Sequence, residues 1–160
     1  MKRAIGLALL VGTVLYSALS SGFSLYFHLA YLLVGALAAG ALWAFWNLRS
    51  LEARVERRTL NAQVGGLIEG HISVRNLSRI PKPWLEVQEL GDMPDHASGR
   101  VVALAAQDSR AWIVRTICQQ RGVFTLGPLQ VTSSDPLGLF RFARRFSKTT
   151  SVVVYPATLP

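Results

Sequence analysis

An active site or metal centre would have to be built from this chain's cysteine, histidine and aspartate residues, and they are few. Cys118 is the sole cysteine and ends Ala111–Cys118, a run dense in β-branched residues. A lone thiol in an apolar strand pattern is a packing residue, because a reactive one needs a base or a cation beside it. A single cysteine also excludes an internal disulfide and any multi-cysteine metal site. His71 falls on the polar side of a strand pattern, and His96 in a loop between Gly91 and Gly99. Neither has a cysteine or carboxylate at zinc-ligand spacing. Asp92 and Asp95 flank Pro94 without the spaced acidic ladder of a calcium loop. His28, inside an apolar segment, reads as an interfacial amphipath. No phosphate-binding or dinucleotide fingerprint is present. The residues therefore predict no catalytic, cofactor-binding or metal-binding position and no cofactor.

The densest motif is Asp135-Pro136-Leu137-Gly138. Asp at the first position, Pro at the second and Gly at the fourth are the preferred residues of a type I turn. Proline pre-sets φ, the aspartate oxygen accepts from N–H groups two residues on, and glycine releases the chain. The motif predicts a structural turn that drops Leu139 and Phe140 into a core.

These residues must be positioned by elements of two kinds. Of the 160 residues, 51% are hydrophobic and 16% charged, and the apolar excess is concentrated. Ala4–Leu48 is 45 residues without Lys, Arg, Asp or Glu. At 1.5 Å per residue that is roughly 67 Å of helix, about twice a hydrocarbon core of about 30 Å. Ser20-Ser21-Gly22 supplies a break, so two transmembrane helices of about residues 4–19 and 23–48 are expected, paired as a hairpin that satisfies its own backbone. Lys2, Arg3, Arg49, Arg54, Arg57 and Arg58 flank the hairpin at its open end, and the turn carries no basic residue. That asymmetry predicts both termini in the cytoplasm. Trp43 and Trp46 mark the inner interface. Ala4, Ala8 and Gly12 recur every four residues, as do Ala36, Gly40 and Ala44, and predict a small-residue helix seam. The competing reading is a cleaved signal peptide, since Lys2-Arg3, an apolar core and Ala18-x-Ser20 have that order. Residues 23–48 would then be the only span.

The remainder, 51–160, is one domain's worth of chain. It holds all nine acidic and 14 of the 17 basic side chains, a surplus of five. Periodicity changes here from helical to alternating: Ile72 and Val74, Leu85 and Val87, then 111–118, 123–132 and 152–155. Turn signals separate these runs, and six to eight short strands predict an antiparallel sandwich or barrel. Residues 51–58 read as the first strand. Arg141, Arg144, Arg145 and Lys148 form a basic cluster interleaved with Phe140, Phe142 and Phe146. It reads either as a contact for anionic lipid or an acidic partner, or as a hairpin with phenylalanines inward and arginines in water. The charge surplus is modest and no recognition motif accompanies it, so nucleic acid is not an expected partner.

From Arg121 onward the chain resembles a known bacterial family. Arg121-Gly122, Gly127-Pro128, Asp135-Pro136-Leu137-Gly138-Leu139-Phe140 and Tyr155-Pro156 follow the motif order of "domain of unknown function 58", and Gly66–Asn76 is similar to a strand-plus-Asn pattern in its immunoglobulin-like region. The resemblance implies a membrane-anchored, all-β, immunoglobulin-like sandwich at the bacterial inner membrane. It implies a non-catalytic interaction or assembly role beside a MoxR-type AAA+ ATPase. Members usually continue into a von Willebrand factor A-like region, where some carry an Asp-x-Ser-x-Ser metal site, and no such motif occurs here. The alternative class is an exported sandwich that binds cell-wall polymer or a small ligand.

Overall fold

The computed structural model describes residues 2–96, 98–146 and 148–156; the side chains of residues 2–5 and of Ala8 lie outside the described ones. Two helices, α1 (Lys2–Ser21) and α2 (Ser24–Asn47), precede nine strands. These are β1 (Leu51–Arg57), β2 (Asn61–Gln63), β3 (Leu67–Asn76), β4 (Lys82–Gly91), β5 (Arg100–Leu104), β6 (Ser109–Ile117), β7 (Gly122–Ser134), β8 (Arg141–Phe146) and β9 (Thr150–Tyr155). The chain divides into two compact units. One is 1–47 with 134–142, and the other is 48–133 with 143–160. The boundary falls at Asn47, and the segment after β7 groups with the helices.

In the helical unit, Gly22 takes φ +63° between the helices, a value glycine adopts without Cβ strain. α2 runs 24 residues and holds an 18-residue window of mean hydropathy 1.8, long and apolar enough to cross a bilayer; the apolar stretch of α1, Leu9–Ser21, is shorter. The less exposed faces are Leu7, Val11, Val14 and Ala18 on α1, and Phe27, Ala30, Leu33, Leu37, Ala41 and Ala44 on α2. Both follow the three-and-four spacing of a helix stripe. The small-residue seam is therefore displaced from its expected line. Gly12 and Ala36 are exposed, and a Cβ at Gly12 would meet nothing within 4 Å. Gly40 faces Asp135. Ala8 has a helical backbone, but its side chain is outside the described ones. Leu37 lies on the covered side with Ala44, which is fully buried, so the covered stripe of α2 mixes small and bulky residues.

In the second unit, β1-β3-β6 form a three-stranded sheet, and β2-β9-β7-β4-β5 form the path of a six-stranded one, with β8 on β7. β1 with β3, β3 with β6, β4 with β5 and β7, and β7 with β9 pair antiparallel, and β2 runs parallel to β9. The sheets share one core: Leu51, Ala53, Val55, Ile72 and Val74 from the first meet Leu85, Val87, Val102, Leu104, Leu129 and Val131 from the second. This is a β-sandwich. A second cluster, with Ile68, Met93, Cys118, Leu126, Val152 and Val154, fills its other end. Cys118 is 1% exposed there, and burial pushes its thiol pKa up. Asn76 is buried and fully bonded: Nδ2 donates to the Ile80 and Ala105 carbonyls, and Oδ1 accepts from Ser78. Gly127 has φ +99°, and a Cβ on it would collide with the Lys148 carbonyl. The Gly127–Pro128 peptide is cis.

Candidate functional site

Three places carry the molecule's organised polar chemistry. The first is the turn after β7. Asp135 is 4% exposed and acts as its hub. Its carbonyl accepts from Gly138 N–H at 3.0 Å, Oδ2 from Leu137 N–H at 3.1 Å, and Oδ1 from Phe140 N–H at 2.6 Å. Its own N–H donates to the Phe140 carbonyl at 3.1 Å. Pro136, Leu137 and Gly138 are exposed, and Gly138 takes φ +66°. Leu139 and Phe140 do not enter the sandwich core; their segment belongs to the helical unit, with Phe142 edge-on to Phe45 at 6.3 Å between ring centroids.

The basic residues beyond this turn, Arg141, Arg144, Arg145 and Lys148, are all exposed. Arg144 lies over the Phe146 ring at 5.2 Å and donates to the Leu48 carbonyl at 3.4 Å. Arg145 donates to Gln130 at 3.0 Å. Phe146 packs partly against the core, but Phe142 is 37% exposed, so the phenylalanines do not all turn inward.

The second place lies inside the sandwich, and the motif search missed it. Arg57 on β1 pairs with Glu89 on β4, and Glu89 Oε2 meets His96 Nε2 at 3.1 Å. His96 Nδ1 is 2.8 Å from Thr116 Oγ1 on β6. The three charged-type side chains are 3%, 2% and 5% exposed, so this is a buried chain linking both sheets. Room for the guanidinium exists because its cross-strand partner is Gly70. Burial pushes the Glu89 carboxyl pKa up. The hydrogen bonds from His96 and Arg57, with their positive charge, outweigh that and hold it below the ordinary value. An ionised carboxylate only accepts, so His96 Nε2 carries the hydrogen toward it. Arg57 Nε and Nη1 find no partner among the described residues. Strand alternation held the missed signal: Ala53, Val55, Arg57 and Leu85, Val87, Glu89 are two period-two series, and each ends on an inward charge.

The third place is the mouth of the sandwich between two sheet edges, β5 and β6. A cleft of about 260 Å³ is lined by Arg100, Val101, Val102, Arg110 and Trp112. The Arg100 guanidinium lies 5.5 Å from the Trp112 ring centroid. Trp112 Nε1–H is buried and finds no acceptor among the described residues. Asp108 approaches Arg110 only at 4.0 Å. Two guanidiniums thus line one opening, while the Trp112 indole N–H lies buried.

Elsewhere, Asp92 Oδ1 accepts from Thr125 N–H at 2.6 Å, so it ties a loop to β7. His28 Nδ1 bonds the Ser24 carbonyl at 2.7 Å within α2. Among the described residues, no three His, Cys, Asp or Glu side chains cluster to hold a metal ion.

No family model matches the chain, and no curated protein does. Several solved structures are similar at low identity. The CARDB domain of a Pyrococcus furiosus protein, in complex with di-metal ions, aligns at TM-score 0.48 and 16% identity, over 67% of this chain and 94% of that one. A Pseudomonas fluorescens alkylpurine DNA glycosylase bound to DNA aligns at 0.47 and 10%, over 66% of this chain and 30% of that one. A Listeria innocua β-glucosidase in complex with glucose aligns at 0.42 and 14%, over 68% of this chain and 17% of that one.

Proposed function

We propose that this protein is a membrane-anchored, non-catalytic interaction module. Its helical hairpin holds an immunoglobulin-like sandwich at the cytoplasmic face of a bacterial inner membrane, and its sandwich mouth docks an acidic protein segment. The motif order from Arg121 to Pro156 supports membership of the "domain of unknown function 58" family, and with it a working partnership with a MoxR-type AAA+ ATPase. The observation that carries the anchored reading is α2. It is 24 residues long, and Leu29, Leu32, Val34, Leu42 and Phe45 each remain about half exposed or more. Such a helix is stable in hydrocarbon and a liability in water. The basic flanks at Lys2, Arg3 and Arg49 support this orientation.

The docking edge follows from charge and hydrogen bonding. Arg100 and Arg110 attract carboxylates to a cleft whose wall includes Trp112. The edges of β5 and β6 are open to an extended chain, the mode of strand addition.

A carboxy-terminal fusion tests the topology. A fluorescent protein should be bright and alkaline phosphatase silent, with the product in the membrane fraction after carbonate washing. Active phosphatase would favour the exported sandwich instead.

A further inference from the structure

We propose that the loop 134–142 enters the bilayer beside α2 at the headgroup–acyl boundary and seats the Leu137 side chain in lipid. This rests on the reading that α2 spans a membrane. The loop belongs to the same compact unit as the helices. Asp135 Cβ and Oδ2 each lie 3.6 Å from where a Cβ on Gly40 would sit. Gly40 is seven residues before the end of α2, about 10 Å of helical rise. Trp43 and Trp46, 46% and 56% exposed, lie between Gly40 and that end. Interfacial tryptophans mark the headgroup level, so Asp135 meets the helix on the hydrocarbon side of that belt.

The hydrogen bonding suits such a site. Backbone N–H groups without partners cost several kcal/mol in hydrocarbon. Pro136 has no N–H, and those of Asp135, Leu137, Gly138 and Phe140 all bond within the loop. Oδ1 and Oδ2 of the buried Asp135 side chain each accept one of them. At the tip, Leu137 is 67% exposed, and Phe142 and Phe45 extend the apolar surface of the same unit. Arg141, Arg144, Arg145 and Lys148 follow directly in sequence and suit anionic headgroups. A soluble turn would have a polar tip; this one has Leu137 there and bonds four of the five N–H groups of 135–140 internally.

The test is spin labelling of the full chain in phosphatidylcholine–phosphatidylglycerol nanodiscs, in a Cys118→Ala background. Nitroxides are placed at Leu137→Cys, at Leu32→Cys on α2 (70% exposed) and at Val123→Cys on the sandwich (69% exposed). All three positions are exposed, so labelling leaves the packing intact. The ratio of oxygen to nickel-chelate accessibility at Leu137 should resemble that at Leu32 and exceed that at Val123 several-fold. Adding Asp135→Ala should move Leu137 toward the Val123 value. A water-like Leu137 beside a lipid-like Leu32 would overturn the insertion and leave the span intact. Water-like values at both would overturn the span and the insertion together.

Discussion

Replacing Glu89 by Ala removes the one carboxylate that serves both a buried guanidinium and a buried imidazole. The Glu89 side chain is 2% exposed and its partners 3% and 5%, so solvent does not take its place. Breaking a buried pair from one side costs about 3–5 kcal/mol, because the remaining charge stays desolvated. Arg57 has no reserve partner, since its Nε and Nη1 are already unpaired among the described residues. At about 4 °C per kcal/mol for a domain of this size, the sandwich should melt roughly 12–20 °C lower. The measurement is thermal and urea unfolding of the full chain in detergent micelles, followed by tryptophan fluorescence. A triple variant, Arg57→Met with Glu89→Leu and His96→Leu, supplies the control. Replacing a whole buried charge network by apolar side chains is often neutral or better, so the triple should be far more stable than the single.

The same carboxylate predicts an acid limb. The pKa of Glu89 is depressed in the folded state, so its contribution is fully present above the ordinary value of 4.5 and is lost as pH falls through the folded value. Melting temperature should decline over that window in the wild type, and less steeply in Glu89→Gln. A Glu89→Ala cost below about 1 kcal/mol, or a triple variant as unstable as the single, would refute the reasoning.

The other expectations are simpler to state. Gly127→Ala should destabilise by about 1–3 kcal/mol from backbone strain alone, with the Lys148 carbonyl collision added, read by urea unfolding. Asp135→Asn keeps an acceptor for Leu137 and Phe140 and should be nearly silent, whereas Asp135→Ala should lose about 0.5–2 kcal/mol, the range of a lost side-chain cap. Equal losses for both would point to a need for the charge itself. Gly40→Leu should displace the Asp135 turn from α2 and raise protease sensitivity there, while Gly12→Leu, facing open space, should not. Charge reversal at Arg100 and Arg110 should abolish binding of a labelled extended acidic peptide by fluorescence anisotropy; unchanged affinity would rule out the mouth as its dock.

The elements with a strong period were legible in the sequence. Alternation at Ile72 and Val74 or Leu85 and Val87 reports a strand with one buried face, and both pairs are fully buried. The run of 45 residues without Lys, Arg, Asp or Glu reads as two helices because it carries no apolar–polar alternation. Partner choice was not legible. The seam was placed on Gly12 and Gly40 because small residues permit close approach, yet a sequence records only that approach is permitted. The structure brings Gly40 to Asp135, 95 positions later, a contact no local period encodes.

The turn at Asp135 divides along the same line. Its local bonds follow from Asp, Pro and Gly at fixed spacing, but the destination of Leu139 and Phe140 does not, and they join the helical unit instead of the sandwich core. Arg57 and Glu89 are the converse case. Each stands where alternation demands an apolar residue, so each is locally inconsistent and jointly consistent, and the inconsistency was itself readable. Two breaks of opposite charge on strands of opposite sheets imply a pair across the core. The buried charge pair and the self-bonded turn are then two positions where this chain departs from what its strands alone require, one binding the sheets together and the other packed against α2.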